Sequence, residues 1–132
     1  MKKLISFAIL FFIVFAVKAQ SEAETLEWLR TKQQTIRDVS SDVIVRRNGK
    51  LTIDLSSIKV SNAETSTNIP WNKVKDVTVS LYDITIVSNE LVDGKNAFIR
   101  LTIDSSIAGK YSKALRHMAT LKGAKMVKDD LF

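Results

Sequence analysis

Hydrophobic residues follow three successive patterns along the chain. From Leu4 to Val17 they form an unbroken run interrupted only by Ser6. Next comes a helical spacing, in which Leu26, Leu29 and Ile36 recur near the 3.6-residue period with Trp28 beside them and Gln33 breaking the stripe. Ser21-Glu22-Ala23-Glu24 has the spacing of a capping box, so a modest helix is expected to start there. Beyond Ser40-Ser41 the period falls to two. Val43 and Val45 alternate up to Arg46-Arg47-Asn48-Gly49, and Leu51, Ile53 and Leu55 alternate after it. Asn48-Gly49 tolerates the positive φ angles of a type I′ turn, which predicts a hairpin. Ile58 and Val60 extend its return strand past a bend at Ser56-Ser57.

The polar stretch 61–68 reads as a loop leading to Ile69-Pro70-Trp71. Pro70 has no N–H to donate, so this segment belongs at a sheet edge or leads into a strand. Val77, Val79 and Leu81 share one face and Tyr82, Ile84 and Ile86 the other, as in one long strand that bends, bulges or twists strongly. A turn region from Asn89 to Asn96 contains Asp93-Gly94 and precedes a strand with Ala97, Ile99, Leu101 and Ile103 in alternation. Asp104-Ser105-Ser106 offers N-cap oxygens to a final helix. Its apolar stripe is Tyr111, Ala114, Leu115, Met118 and Leu121, and Gly123 is placed to end it. Met126, Val127, Leu131 and Phe132 remain to dock the tail. LTID occurs at both 51–54 and 101–104, each time after a Gly-Lys pair. The flanks do not otherwise match, so shared strand grammar explains the repeat better than duplication.

Composition changes this picture at the N-terminus. Lys2 and Lys3, the apolar run and Val17-Lys18-Ala19 have the form of a secretory signal, with cleavage expected after Ala19. The run is short of the ~20 residues a spanning helix needs. Residues 20–132 then form a single α+β domain, periplasmic or secreted, with no transmembrane segment. With no cysteine in the chain, disulfides and lipidation at a new N-terminal cysteine are ruled out. Removing the signal leaves 17 cations against 14 acids, a net charge of +3. Residues 109–132 hold six cations and two acids, so the positive excess lies wholly in the C-terminal segment.

Little of this supports catalysis. Residues 104–112, DSSIAGKYS, sit where a phosphate-binding loop would sit. Asp104 stands where that motif needs glycine, however, and Tyr111 where it needs Ser or Thr. Ser56-Ser57-Ile58-Lys59 contains the S-x-x-K of penicillin-binding enzymes without its companion motifs. His117 is the only histidine and is expected at the boundary or surface of the last helix, and Asp129-Asp130 reads as solvated. No catalytic, metal or cofactor site is assigned, and nucleic acid is not expected as a partner. Lys110, Lys113 and Arg116 are candidate contacts to an anionic surface, with Lys122 and Lys125 suited to the negative end of the helix dipole. The plainer reading is that they form the wet face of an amphipathic helix. Trp71 is the candidate contact to a protein partner.

The order of helix, hairpin, antiparallel strands, Ile-Pro-Trp lead-in, final strand and closing helix resembles a pleckstrin-homology-type split barrel. The stretch IPWNKVKDVTV resembles the strand lead-in of that superfamily and its GRAM-like relatives. The likeness covers about residues 42–122 and implies a curved antiparallel sheet or split barrel closed by a C-terminal helix, with an additional N-terminal helix. The pattern shows fewer strands than the seven that fold normally has, and no phosphoinositide-binding motif carries over. The segments KAQ, ETLEWL and KDDLF are similar to those of small exported proteins of Bacteroidota, which implies a periplasmic home. The expected function is a non-enzymatic binding or scaffold module of the cell envelope, partnered by an envelope protein or an anionic surface. The alternative is a small periplasmic enzyme whose pocket the sequence does not reveal.

Overall fold

In the computed structural model, which describes residues 20–126, the alternating apolar positions from Ala97 to Ile103 build an interior strand, Lys95–Ile103. The chain order is a helix over 20–32 (α1), a 3-10 turn Gln33–Thr35, then β1 (Ile36–Ser41), β2 (Lys50–Ile53), β3 (Ser57–Ser61) and β4 (Ser66–Pro70). A second 3-10 turn, Trp71–Lys73, leads to β5 (Val74–Val79), β6 (Asp83–Val92), β7 (Lys95–Ile103) and the helix α2 (Ser105–Leu121). The seven strands form two antiparallel sheets, a four-stranded one ordered β1-β7-β6-β5 and a three-stranded one ordered β2-β3-β4. Their inner faces supply Ile53, Ile58, Ile69, Ile84, Ile86, Ile99, Leu101 and Ile103, all buried with Tyr111 and Leu115 of α2 and Leu29 of α1. The expected α+β class with a helix at each end therefore holds, and strands that the sequence pattern merged are separate.

Several local expectations change. Asn48-Gly49 does not turn a hairpin, because β1 pairs with β7 and residues 42–49 cross between the sheets. Val43 and Val45 are exposed there and Ile44 is buried, while the positive φ falls on Arg47, at 75°. Gly49 is needed for close approach: a Cβ would lie 2.8 Å from Val60 Cγ1 and 2.9 Å from Val39 Cγ2. The hairpin that exists joins β2 to β3 across Asp54–Ser57, closed by the Asp54 N–H donating to the Ser57 carbonyl at 2.9 Å. Leu55, at this turn, is exposed.

The long bent strand is two strands joined at Ser80–Asp83, where the Ser80 N–H donates to the Asp83 carbonyl at 2.8 Å. A turn with two central residues shifts the alternation by one phase, which reads in sequence as a change of face. Loop 61–68 shrinks to a turn over Asn62–Thr65, whose Asn62 Oδ1 accepts from the N–H groups of Glu64 and Thr65. Within the second turn region only Asp93 and Gly94 turn, both at positive φ, as a type I′ hairpin requires. Ile36 opens β1 and does not continue α1. The capping box does not form either. Residue 20 is already helical, Ser21 Oγ lies 3.1 Å from His117 Nε2, and Glu24 accepts from Gln20.

The two outer strands of the four-stranded sheet share a signature, Ile36-Arg37-Asp38-Val39 in β1 and Val74-Lys75-Asp76-Val77 in β5. In each the pairing register shifts between the first residue and the aspartate, and the aspartate Oδ1 accepts the N–H of the following valine, at 2.9 and 2.8 Å. Asp38 also accepts the Arg47 N–H at 2.8 Å. Beside Asp76, Arg116 of α2 donates Nε to the Val77 carbonyl at 3.1 Å and NH2 to Asp76 Oδ1 at 2.7 Å. Arg30 of α1 repeats this fork on β2, donating to the Ile53 carbonyl and Asp54 Oδ1, both at 2.9 Å, while Gln33 reaches the Leu51 carbonyl. Side chains thus occupy backbone groups that a further strand would otherwise pair with, a bulge-and-charge closure of exposed edges.

Candidate functional site

The C-terminal helix decides which of its cations remain available. Asp104 caps it, accepting from the Ser106 N–H at 3.0 Å, and Ser106 holds the Asp104 carboxyl below the usual carboxylate range. Gly123 ends it at φ 92°, with the N–H groups of Gly123 and Ala124 donating to the carbonyls of Thr120 and Ala119, a Schellman closure. Between these ends Tyr111, Leu115 and Met118 are buried as expected, joined by Ala108, Ser112 and Ala119, while Ala114 and Leu121 are half-buried. Lys110 and Lys113 are exposed and make no ion pair among the described residues. Arg116 does not belong with them. It is half-buried, turned to β5 and held by Asp76, so its charge fastens the helix to the sheet. Lys122 pairs with Glu22 of α1 at 2.9 Å, a tie between the helices as well as a charge at the helix end.

Trp71 is also corrected. It is fully buried and its Nε1 donates to the Asp54 carbonyl at 2.7 Å, so its indole anchors the core and presents nothing to a partner. The other tryptophan is only partly covered. Trp28 of α1 is half-buried against Tyr111, with ring centroids 5.8 Å apart, and the Tyr111 hydroxyl donates to the Leu29 carbonyl at 2.9 Å. Trp28, Thr25 and Ala114 line a groove of about 360 Å³ between the helices, with Glu24 on the α1 wall and Lys113 and His117 on the α2 wall. His117 is exposed, as expected for a surface residue, and contacts Ser21. In the sequence Trp28 stood beside the Leu26–Leu29 stripe, but nothing there paired it with Ala114.

Other clusters of ionisable groups are engaged in holding the fold. A cavity of about 270 Å³ between β1 and β2 is lined by Gln33, Arg37, Asp38 and Arg47 among others. Asp38 there accepts two backbone N–H groups, and Arg37 pairs with Asp104 at 3.2 Å. Ser57 and Lys59 of the S-x-x-K stretch lie on β3, and Lys59 is exposed. Among the described residues no three metal-ligating side chains gather, and no helix is long and apolar enough to cross a membrane. Asp129-Asp130, Val127, Leu131, Phe132 and the signal-like residues 1–19 lie outside the described residues.

No protein-family model matches the chain. No curated protein sequence matches it either. Solved structures similar in fold include two PH domains. The PH domain from PfAPH has a TM-score of 0.55 at 12% identity, covering 77% of this chain and 94% of its own. The PH domain from TgAPH has a TM-score of 0.52 at 8% identity, covering 80% of this chain and 99% of its own. These identities bear on fold alone, and the fold is PH-like.

Proposed function

We propose that this chain is an exported, non-enzymatic binding or scaffold module of the cell envelope that meets an anionic surface through α2. The carrying observation is that Lys110 and Lys113 are both exposed on α2, in the segment that holds the chain's positive excess, and have no ion pair among the described residues, with Lys113 lining the Trp28 groove. A PH-like fold is commonly used for binding and scaffolding, which supports the same reading. The non-enzymatic part is supported by the cavity between β1 and β2, where Asp38 accepts two backbone N–H groups and Arg37 pairs with Asp104. Export is supported by residues 1–19.

Two exposed cations act at long range and are screened over about 8 Å at physiological ionic strength. Each is worth about 1 kcal/mol near an anionic membrane, so together they change binding by about 30-fold at most. The test is cosedimentation with phosphatidylglycerol or phosphatidylcholine vesicles at low and physiological salt. Binding to the anionic vesicles only, weakened by salt and by Lys110→Gln with Lys113→Gln, is the expected result. Equal sedimentation of wild type and variant would reduce α2 to a solvated face.

A further inference from the structure

The tip of the hairpin between β5 and β6 is built against the usual rule for turns. Ser80 and Asp83 close it, leaving Leu81 and Tyr82 at the two central positions, where Gly, Pro, Asn, Asp and Ser normally stand. Leu81 is 76% exposed, Tyr82 58%, and Val79 just before them 49%. Val45, 69% exposed, belongs to a segment tied to this turn by Arg46 and Asp83, 3.6 Å apart. The tip is also braced from behind. The Tyr82 carbonyl accepts from the Ile103 N–H at 2.8 Å, and Asp83 accepts from the Thr102 hydroxyl at 3.0 Å. Apolar side chains are thus presented on a braced, protruding turn at some cost in water exposure.

We propose that Leu81 and Tyr82 form an apolar anchor that enters the interface of an anionic lipid bilayer. The inference rests on the anionic-surface reading above but uses different side chains. A convex tip cannot receive a partner's side chain, and a fluid bilayer accepts it without a matching pocket. Leucine suits the acyl boundary, and tyrosine places its ring there with the hydroxyl among headgroups. Charge at this end agrees through α2: Arg37, Arg46 and Arg47 are balanced by Asp38, Asp83 and Asp104, and Lys110 adds a cation with no ion pair among the described residues. Lys110 lies five residues beyond the start of α2, about 8 Å along the axis, and α2 follows the strand end bonded to Tyr82.

The test uses the purified protein as released from cells, phosphatidylglycerol vesicles, and a chain with no native cysteine to compete for labelling. A Leu81→Cys variant carrying an environment-sensitive dye should brighten and shift to the blue on vesicle addition, while a Lys59→Cys control should not. Leu81→Ser with Tyr82→Ser should bind about tenfold more weakly or worse at both low and physiological salt, because apolar insertion is not screened, with an unchanged melting midpoint. If the lysine pair governs binding while the dye stays in water and the serine pair binds normally, the anchor is overturned and the surface reading stands. If only the serine pair releases the protein, the anchor stands and the lysine reading fails. No sedimentation at any salt overturns both.

Discussion

Tyr111 sits between the two helices with its ring against Trp28 and its hydroxyl on the Leu29 carbonyl. Burial pushes its phenol above the ordinary tyrosine value, because the anion would lose water without gaining a partner. A raised folded pKa means a contribution to stability that is complete below the unfolded value near 10 and is lost as pH rises above it. Tyr111→Phe should therefore cost about 1–2 kcal/mol near neutral pH through the orphaned carbonyl, yet flatten the alkaline loss of stability. Denaturant titrations at pH 7 and pH 11 check both parts. At Leu115, also in the core, truncation to alanine should cost about 2–5 kcal/mol. Lys113→Ala, on the exposed side, should stay within about 0.5 kcal/mol. Similar losses for the two in urea unfolding would mean the helix face is misassigned.

Each helix acts on a sheet edge as much as on the core. Arg116 gives one strand carbonyl and one aspartate a donor each, and Arg30 does the same on the other sheet. Hydrogen bonds from charged groups contribute about 1.5–3 kcal/mol, more than a solvated ion pair. Arg116→Ala should accordingly cost that much, while Lys110→Ala stays near wild type. Removing the plug also leaves the Val77 carbonyl open to pairing with another chain, so Arg116→Ala should show concentration-dependent association by light scattering. A variant as monomeric and stable as wild type would make the fork decorative. The repeated apolar-basic-Asp-Val signature in β1 and β5 belongs to this scale too. It is visible in the sequence only once the pairing shows that both copies lie on outer strands.

For the whole molecule, the proposal of export predicts a chain beginning at Gln20 when the mature protein is weighed by mass spectrometry. An intact Met1 in a membrane fraction would refute it. Residue 20 is already helical and Lys122 reaches Glu22, so such a terminus would lie beside the end of α2. The parts of the fold legible in sequence were those set by local chemistry. Strict alternation placed the Ala97–Ile103 strand, Asp104 and Gly123 bounded α2, Asp93-Gly94 turned its hairpin, and Pro70 marked an edge. Periodicity and caps act over a few residues, so one segment carries the whole signal. Which strand pairs with which is decided by burial across the chain. That preference gave β1 to β7 over β2, stripped Asn48-Gly49 of its turn and made Gly49 a point of contact between strands. It also split the long strand at Leu81-Tyr82, whose apolar character hid the turn. Site residues divided in the same way. The exposure of Lys110 and Lys113 was legible because it follows from helical phase. The placement of Arg116 and Trp71 was not, because about 60° around the helix or one buried hydrogen bond converts a surface candidate into a structural one. The groove on Trp28 belonged to neither helix alone, and only the packing of α1 against α2 created it.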